Sequence, residues 1–121
     1  VPDTQPYDDR SNVYTLQELG VTYPRAFQYC DALITKPGYG TVVEVAKLGK
    51  PAIFVKRGDW AEEPELVAWW QKHANVREVS RSRFFAGDFV ADLQELLESP
   101  SKPVEIPDGV PEVIDVINKY L

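Results

Sequence analysis

Two short stretches hold most of the residues that could do chemistry, "TKPGYGTVVE" (35–44) and "KRGDWAEEPE" (56–65). In the first, Gly38 and Gly40 flank Tyr39, Lys36 precedes them, and Thr41 and Glu44 follow. The free N–H groups at the start of a helix carry partial positive charge, and glycines let a ligand reach the backbone without meeting a Cβ. That combination suits an anion, above all a phosphate. It suits a tight turn and a capped helix as well. Thr41 and Glu44 have the T-x-x-E spacing of a capping box, so Glu44 either caps the helix or offers its carboxylate to sugar hydroxyls. "GYGTVVEV" lacks the Gly-Lys-Ser/Thr of a P-loop and the third glycine of a dinucleotide fingerprint. Lys36 either adds charge to an anion site or stands solvated.

The second stretch gathers Arg57, Asp59, Trp60, Glu62 and Glu63. Carboxylates in the first turn of a helix favour its dipole, which accounts for Glu62 and Glu63 without any ligand. Carboxylates beside an aromatic ring also make a carbohydrate site, the former for hydroxyls and the latter for C–H faces. Elsewhere the chemistry thins out. His73, the single histidine, shares a helical face with Leu66 and Trp70 and reads as a packed side chain, with no other metal ligands at suitable spacing. Cys30 reads as a small buried residue, since it lacks a histidine nearby in sequence.

These loops must be held by regular elements. Residues 1–11 are rich in Pro and Asp with no apolar periodicity, which predicts a loop or tail before a single domain over 12–121. Within that domain "NVYTL" (12–16) reads as a short strand and 22–30 as a helix. The run 32–35 reads as a strand, and 41–49 as a helix ending at Gly49 with Pro51 beyond. A strand over 51–56 follows, then a helix with Pro64 in its first turn, a strand over 76–79, and a helix over 85–99. A Pro-rich link leads to a last helix from Val110 to Leu121. Apolar strands alternating with helices predict an α/β fold: a parallel sheet of about four strands flanked by helices, a partial Rossmann-like arrangement. Ligands of such sheets bind at the carboxyl ends of the strands, where both stretches fall.

With 121 residues and 44% hydrophobic content the chain can bury a core. Thirteen basic and nineteen acidic residues give a net charge of −6, with no basic block, which argues against nucleic acid or an anionic membrane as partner. One cysteine allows no intrachain disulfide and no thiolate metal cluster, in keeping with a cytoplasmic setting, and no apolar run is long enough to span a membrane. The chain contains no methionine and starts with valine, which points to a piece of a longer protein.

The order Asp31, apolar strand, Gly38 and Gly40, Thr41, Glu44, then Gly49-x-Pro51 and a second apolar strand resembles a family pattern. It is that of the carboxyl-terminal domain of GT-B glycosyltransferases, in particular the peptidoglycan N-acetylglucosaminyltransferase type. "KPGYGT" with "RGDWAEEP" is similar also to the glycosyltransferase-like amino-terminal region of plant-type arabinokinases. The resemblance covers residues 12–98 and implies a domain that binds a nucleotide-diphosphate-sugar donor, with no cofactor and no metal. It implies contacts from Gly40 and Thr41 to the donor diphosphate, from Glu44 to the ribose, and from Glu63 to the transferred sugar, though Pro64 departs from the pattern. It further implies that two strands before "NVYTL" and an acceptor-binding domain lie outside these residues, so that an exposed sheet edge would favour self-association. The alternative is a glycosyltransferase-like domain that binds or regulates without catalysis, for example beside a sugar kinase. A response-regulator-like domain fits less well, because no strand ends in a phosphorylatable aspartate with a lysine partner in order.

Overall fold

A computed structural model describes residues 12–100 and 102–121; the tail expected over 1–11 lies outside the described residues. The elements run α1 (Leu16–Leu19), α2 (Tyr23–Tyr29), β1 (Leu33–Thr35), α3 (Tyr39–Leu48), β2 (Ala52–Phe54), α4 (Glu63–His73), β3 (Val76–Glu78), α5 (Arg81–Phe85), α6 (Val90–Glu98) and α7 (Val110–Asn118). The chain is mixed α/β, with three parallel strands in the order β1-β2-β3. Ile34 stands beside Ile53, which stands beside Arg77.

The sheet has three strands rather than four because "NVYTL" does not extend. Thr15 accepts the Glu18 N–H at 3.1 Å while the Glu18 carboxylate accepts the Thr15 N–H at 2.7 Å, a complete capping box that starts α1. Gly20, with φ of 63°, ends the helix one turn later. Two other boundaries shift for equally local reasons. Helix α3 begins at Tyr39 with Gly38 as its N-cap, so Thr41 and Glu44 lie inside the helix and form no capping box. The helix expected over 85–99 is two helices, because Ser80 caps α5 through the Arg83 N–H and Gly87, at φ of 73°, breaks the chain before α6.

Alternation along β2 explains the two layers. Ala52 and Phe54 face α3 and α4 and share a core with Phe27, Val42, Val45, Val67 and Trp70. Ile53 faces the other way, against Val79 and Leu96, with Phe84, Phe89 and Leu93 packed around them. All three β2 residues are buried, as a central parallel strand requires. The second layer is fastened electrostatically: Asp92 on α6 accepts from Arg83 at 2.6 Å and lies 3.5 Å from Arg77, which also binds Glu95. The Arg83 and Arg77 guanidiniums hold the Asp92 carboxyl below the usual carboxylate range.

β1 is an edge strand with no partner on its outer side among the described residues, and Ile34 is 46% exposed. A groove of about 490 Å³ runs along that edge, walled by Leu16, Tyr23, Phe27, Cys30 and Leu33. Helix α7 buries none of its residues, and Val113, Ile114, Val116 and Ile117 remain exposed. No helix among the described residues is long and apolar enough to cross a membrane.

Gly49 is where helix, turn and link meet. It takes φ of 63°, and a Cβ there would lie 2.8 Å from the Pro103 nitrogen. Gly20 has the same φ with nothing within 4 Å. Gly20→Ala should therefore cost only the left-handed strain, about 1 kcal/mol. Gly49→Ala should cost about 2 kcal/mol or more, because it adds a backbone clash. Denaturant unfolding of the two variants checks this, and equal losses would contradict the packing assigned to Pro103.

Candidate functional site

The two stretches read from the sequence do meet, at the carboxyl ends of β1 and β2. Parallel strands send every outgoing loop to the same edge, so residues 36–38 and 55–62 become neighbours, and Tyr39 meets Glu62 across 23 positions of sequence. The Tyr39 hydroxyl donates to the Glu62 carboxylate at 2.7 Å. The Tyr39 and Trp60 rings meet edge to face with centroids 5.3 Å apart, and the Arg57 guanidinium lies 5.4 Å from the centre of the Trp60 ring. The hydrogen bond to Glu62 pushes the Tyr39 hydroxyl above its ordinary pKa, so the pair is intact below the usual tyrosine range and weakens as pH rises through the folded value.

Helix α3 offers its start to this edge. The Val42 N–H reaches the Gly38 carbonyl at 2.9 Å, which leaves the N–H groups of Tyr39, Gly40 and Thr41 ahead of the first intrahelical bond. No side chain among the described residues caps them. A Cβ at Gly38 or at Gly40 would meet nothing within 4 Å, and neither glycine has positive φ. Neither glycine is therefore there to make a left-handed turn. The fold does not need glycine at either position, and Gly40 weakens the helix by roughly 1 kcal/mol relative to alanine.

Glu44 is exposed on α3 and no hydrogen bond or ion pair among the described residues engages it, so the capping half of its two readings falls away. Lys36 is exposed beside the helix start. Glu63 is different in kind. It is 3% exposed, and its two carboxylate oxygens accept the Arg57 N–H at 2.8 Å and the Gly58 N–H at 3.0 Å. Gly58 takes φ of 84°, which folds loop 57–62 around that carboxylate. Glu63 therefore shapes the loop from below, and its exposed neighbour Glu62 faces Tyr39 instead.

His73 is at the opposite end of α4 from this loop, half-buried, its ring tilted against that of Trp69 with centroids 4.7 Å apart. Burial raises the Cys30 thiol above its usual pKa, more than Lys50 lowers it, and its Sγ donates to the Phe27 carbonyl. Neither residue is equipped to act as base or nucleophile at the sheet edge. No group of three or more His, Cys, Asp or Glu side chains among the described residues could hold a metal ion.

Sequence reasoning missed Arg81, Phe84 and Phe85, which share a cleft with Lys36, Lys56 and Arg57. The signal available was position: they directly follow the third strand, at the edge where the other two loops emerge. The chain matches no family model, and no curated protein or solved structure shows significant similarity to it.

Replacing Glu63 by alanine leaves two inward-facing amides without an acceptor and unpins the loop. Loss of charge-assisted hydrogen bonds predicts a stability loss of about 2 kcal/mol or more. It also predicts faster hydrogen exchange at the Arg57 and Gly58 amides than at the β2 amides. Unchanged exchange at those two positions would show that the loop holds its shape without the carboxylate.

Proposed function

We propose that this domain contributes the donor-binding half of a nucleotide-diphosphate-sugar site, as in a glycosyltransferase that passes a sugar to an acceptor hydroxyl. The observation that carries the reading is the start of α3: three amides that no side chain among the described residues caps, beside two glycines whose missing side chains the fold does not explain. A diphosphate is the ligand that such oriented N–H groups hold best. Thr41, at the third helical position, and Lys36 border the same place. Glu44, without a partner among the described residues, takes the ribose hydroxyls. Tyr39, Trp60 and Glu62 form a platform of rings and a carboxylate that suits a sugar. Glu63 acts on the sugar only through the loop that it shapes.

During transfer the bond from the sugar to the diphosphate oxygen breaks as the acceptor oxygen bonds to the sugar carbon. The negative charge growing on the departing diphosphate is met by the α3 amides, which are already oriented and need no reorganisation. The acceptor proton passes to a general base as the new bond forms. A second reading, a domain that binds the donor without transferring its sugar, is favoured by the position of His73, remote from loop 57–62. Turnover of a bound donor separates the two.

Glu44→Ala should weaken binding of a uridine or guanosine diphosphate sugar about tenfold, as expected for a charged hydrogen-bond acceptor. Gly40→Asp should abolish it, because it sets a carboxylate among the amides while helping the helix through its dipole. Calorimetry that finds both variants binding like the parent chain would sink the donor assignment. The open β1 edge should also draw two copies together. Light scattering across a concentration series should then show a rising mass, whereas a constant monomer mass would count against edge pairing.

A further inference from the structure

The cleft missed by sequence reasoning opens on the sheet face away from α3. Its floor is Ile34 and Val55 with Phe84, and its volume is about 280 Å³. Four cations line it, Lys36, Lys56, Arg57 and Arg81, in a chain whose net charge is −6. Only one of them is firmly neutralised. Lys56 meets Glu78 at 2.9 Å, whereas Arg57 has only Asp59 at 3.9 Å, and Asp59 is a largely solvated carboxylate. Lys36 and Arg81 have no acidic partner among the described residues. Beside them Phe85 is 78% exposed, its ring edge to face with Phe84 at 5.7 Å.

Like charges crowd together at a cost unless an anion joins them. An exposed phenylalanine next to that crowd offers a face for a flat ring. The volume lies just under the usual range for small-molecule pockets, too small for a folded segment or a peptide of several residues. More than one uncompensated cation favours a phosphate over a monocarboxylate, and the guanidiniums of Arg57 and Arg81 can each take two phosphate oxygens.

We propose that this cleft is a binding site for a small phosphate ester carrying a flat ring, with Arg81 and Arg57 on the phosphate and Phe85 against the ring. A nucleoside 5′-monophosphate is the simplest ligand of that class. The site does not rest on the donor reading: the α3 amides and Gly40 are not part of the cleft, although Lys36 borders both places and Arg57 also lies against the Trp60 ring of the sugar platform.

The test is calorimetry at low salt with adenosine 5′-monophosphate, adenosine and inorganic phosphate as separate probes. The monophosphate should bind at least about tenfold more tightly than either fragment, and salt should weaken it. Arg81→Ala should lower its affinity about tenfold or more. Phe85→Ala should lower it while leaving inorganic phosphate unchanged. Arg81 and Phe85 are both exposed, so neither variant disturbs the core. Gly40→Asp, which blocks the α3 amides, should leave the monophosphate affinity as it was. No binding of the monophosphate would overturn the proposal. So would binding that is lost in Gly40→Asp and indifferent to Arg81→Ala, which would place that ligand at α3. Loss of diphosphate-sugar binding in Gly40→Asp beside intact monophosphate binding keeps the two sites distinguishable.

Discussion

A carboxylate that is 3% exposed is costly to bury unless every lone pair finds a donor, and Glu63 finds its donors in the backbone of the loop just before it. The Arg57 and Gly58 amides converge on it because the chain reverses at Gly58. That one arrangement fixes the direction in which Arg57 leaves the sheet and the place where Trp60 and Glu62 come to rest. Tyr39 then ties the neighbouring loop to Glu62, and the two chemical stretches of the sequence become one surface. Glu63 also stands at the first position of α4, where its charge favours the helix dipole, so the same group starts the helix and shapes the loop.

Much of this was legible in the sequence, and what was not failed for reasons of range. The runs at 32–35, 51–56 and 76–79 contain the three strands, each bounded by turn residues and rich in β-branched side chains, although only β2 is buried throughout. Gly49 ends α3 as its position suggested. "NVYTL" carries the same composition as a strand, but the reciprocal Thr15–Glu18 hydrogen bonds form within four residues and need no partner strand. The T-x-x-E pattern at Thr41 and Glu44 misled for the complementary reason. Gly38 already leaves the helical conformation, so the helix starts two residues before Thr41 and the pattern falls inside it. A capping box is recognised by what precedes it as much as by its own letters.

The site shows the same division. That Gly38, Gly40, Tyr39 and Glu62 share an edge follows from parallel topology, and topology follows from alternation of strands and helices. That Glu63 rather than Glu62 turns inward does not follow, because two adjacent acids in a first helical turn are equivalent until the loop geometry around Gly58 is known. Arg81 and Phe85 were invisible because the helix containing them was read as starting at Phe85 itself, which hid the Ser80 cap and with it the loop after β3.

The uneven cover of the sheet leaves room at the edge where the loops meet. On one face α3 and α4 close over β2 with Phe54 against the fully buried Trp70, ring centroids 5.1 Å apart, even though the Trp70 indole N–H has no partner among the described residues. Dispersion and area burial on that face outweigh one unmade hydrogen bond. On the other face α5 and α6 cover Ile53 and stop short of β1, so Ile34, its neighbour in register, stays half exposed. An uncovered apolar strand next to three loop ends rich in cations is a place where a ligand can bury apolar surface and neutralise charge at once. The packed face supplies the rigidity that the α3 amides and the Glu63 loop need, and the open face supplies the space. A fourth layer element over β1 would strengthen the fold and close the cleft, so stability and access oppose each other at that strand.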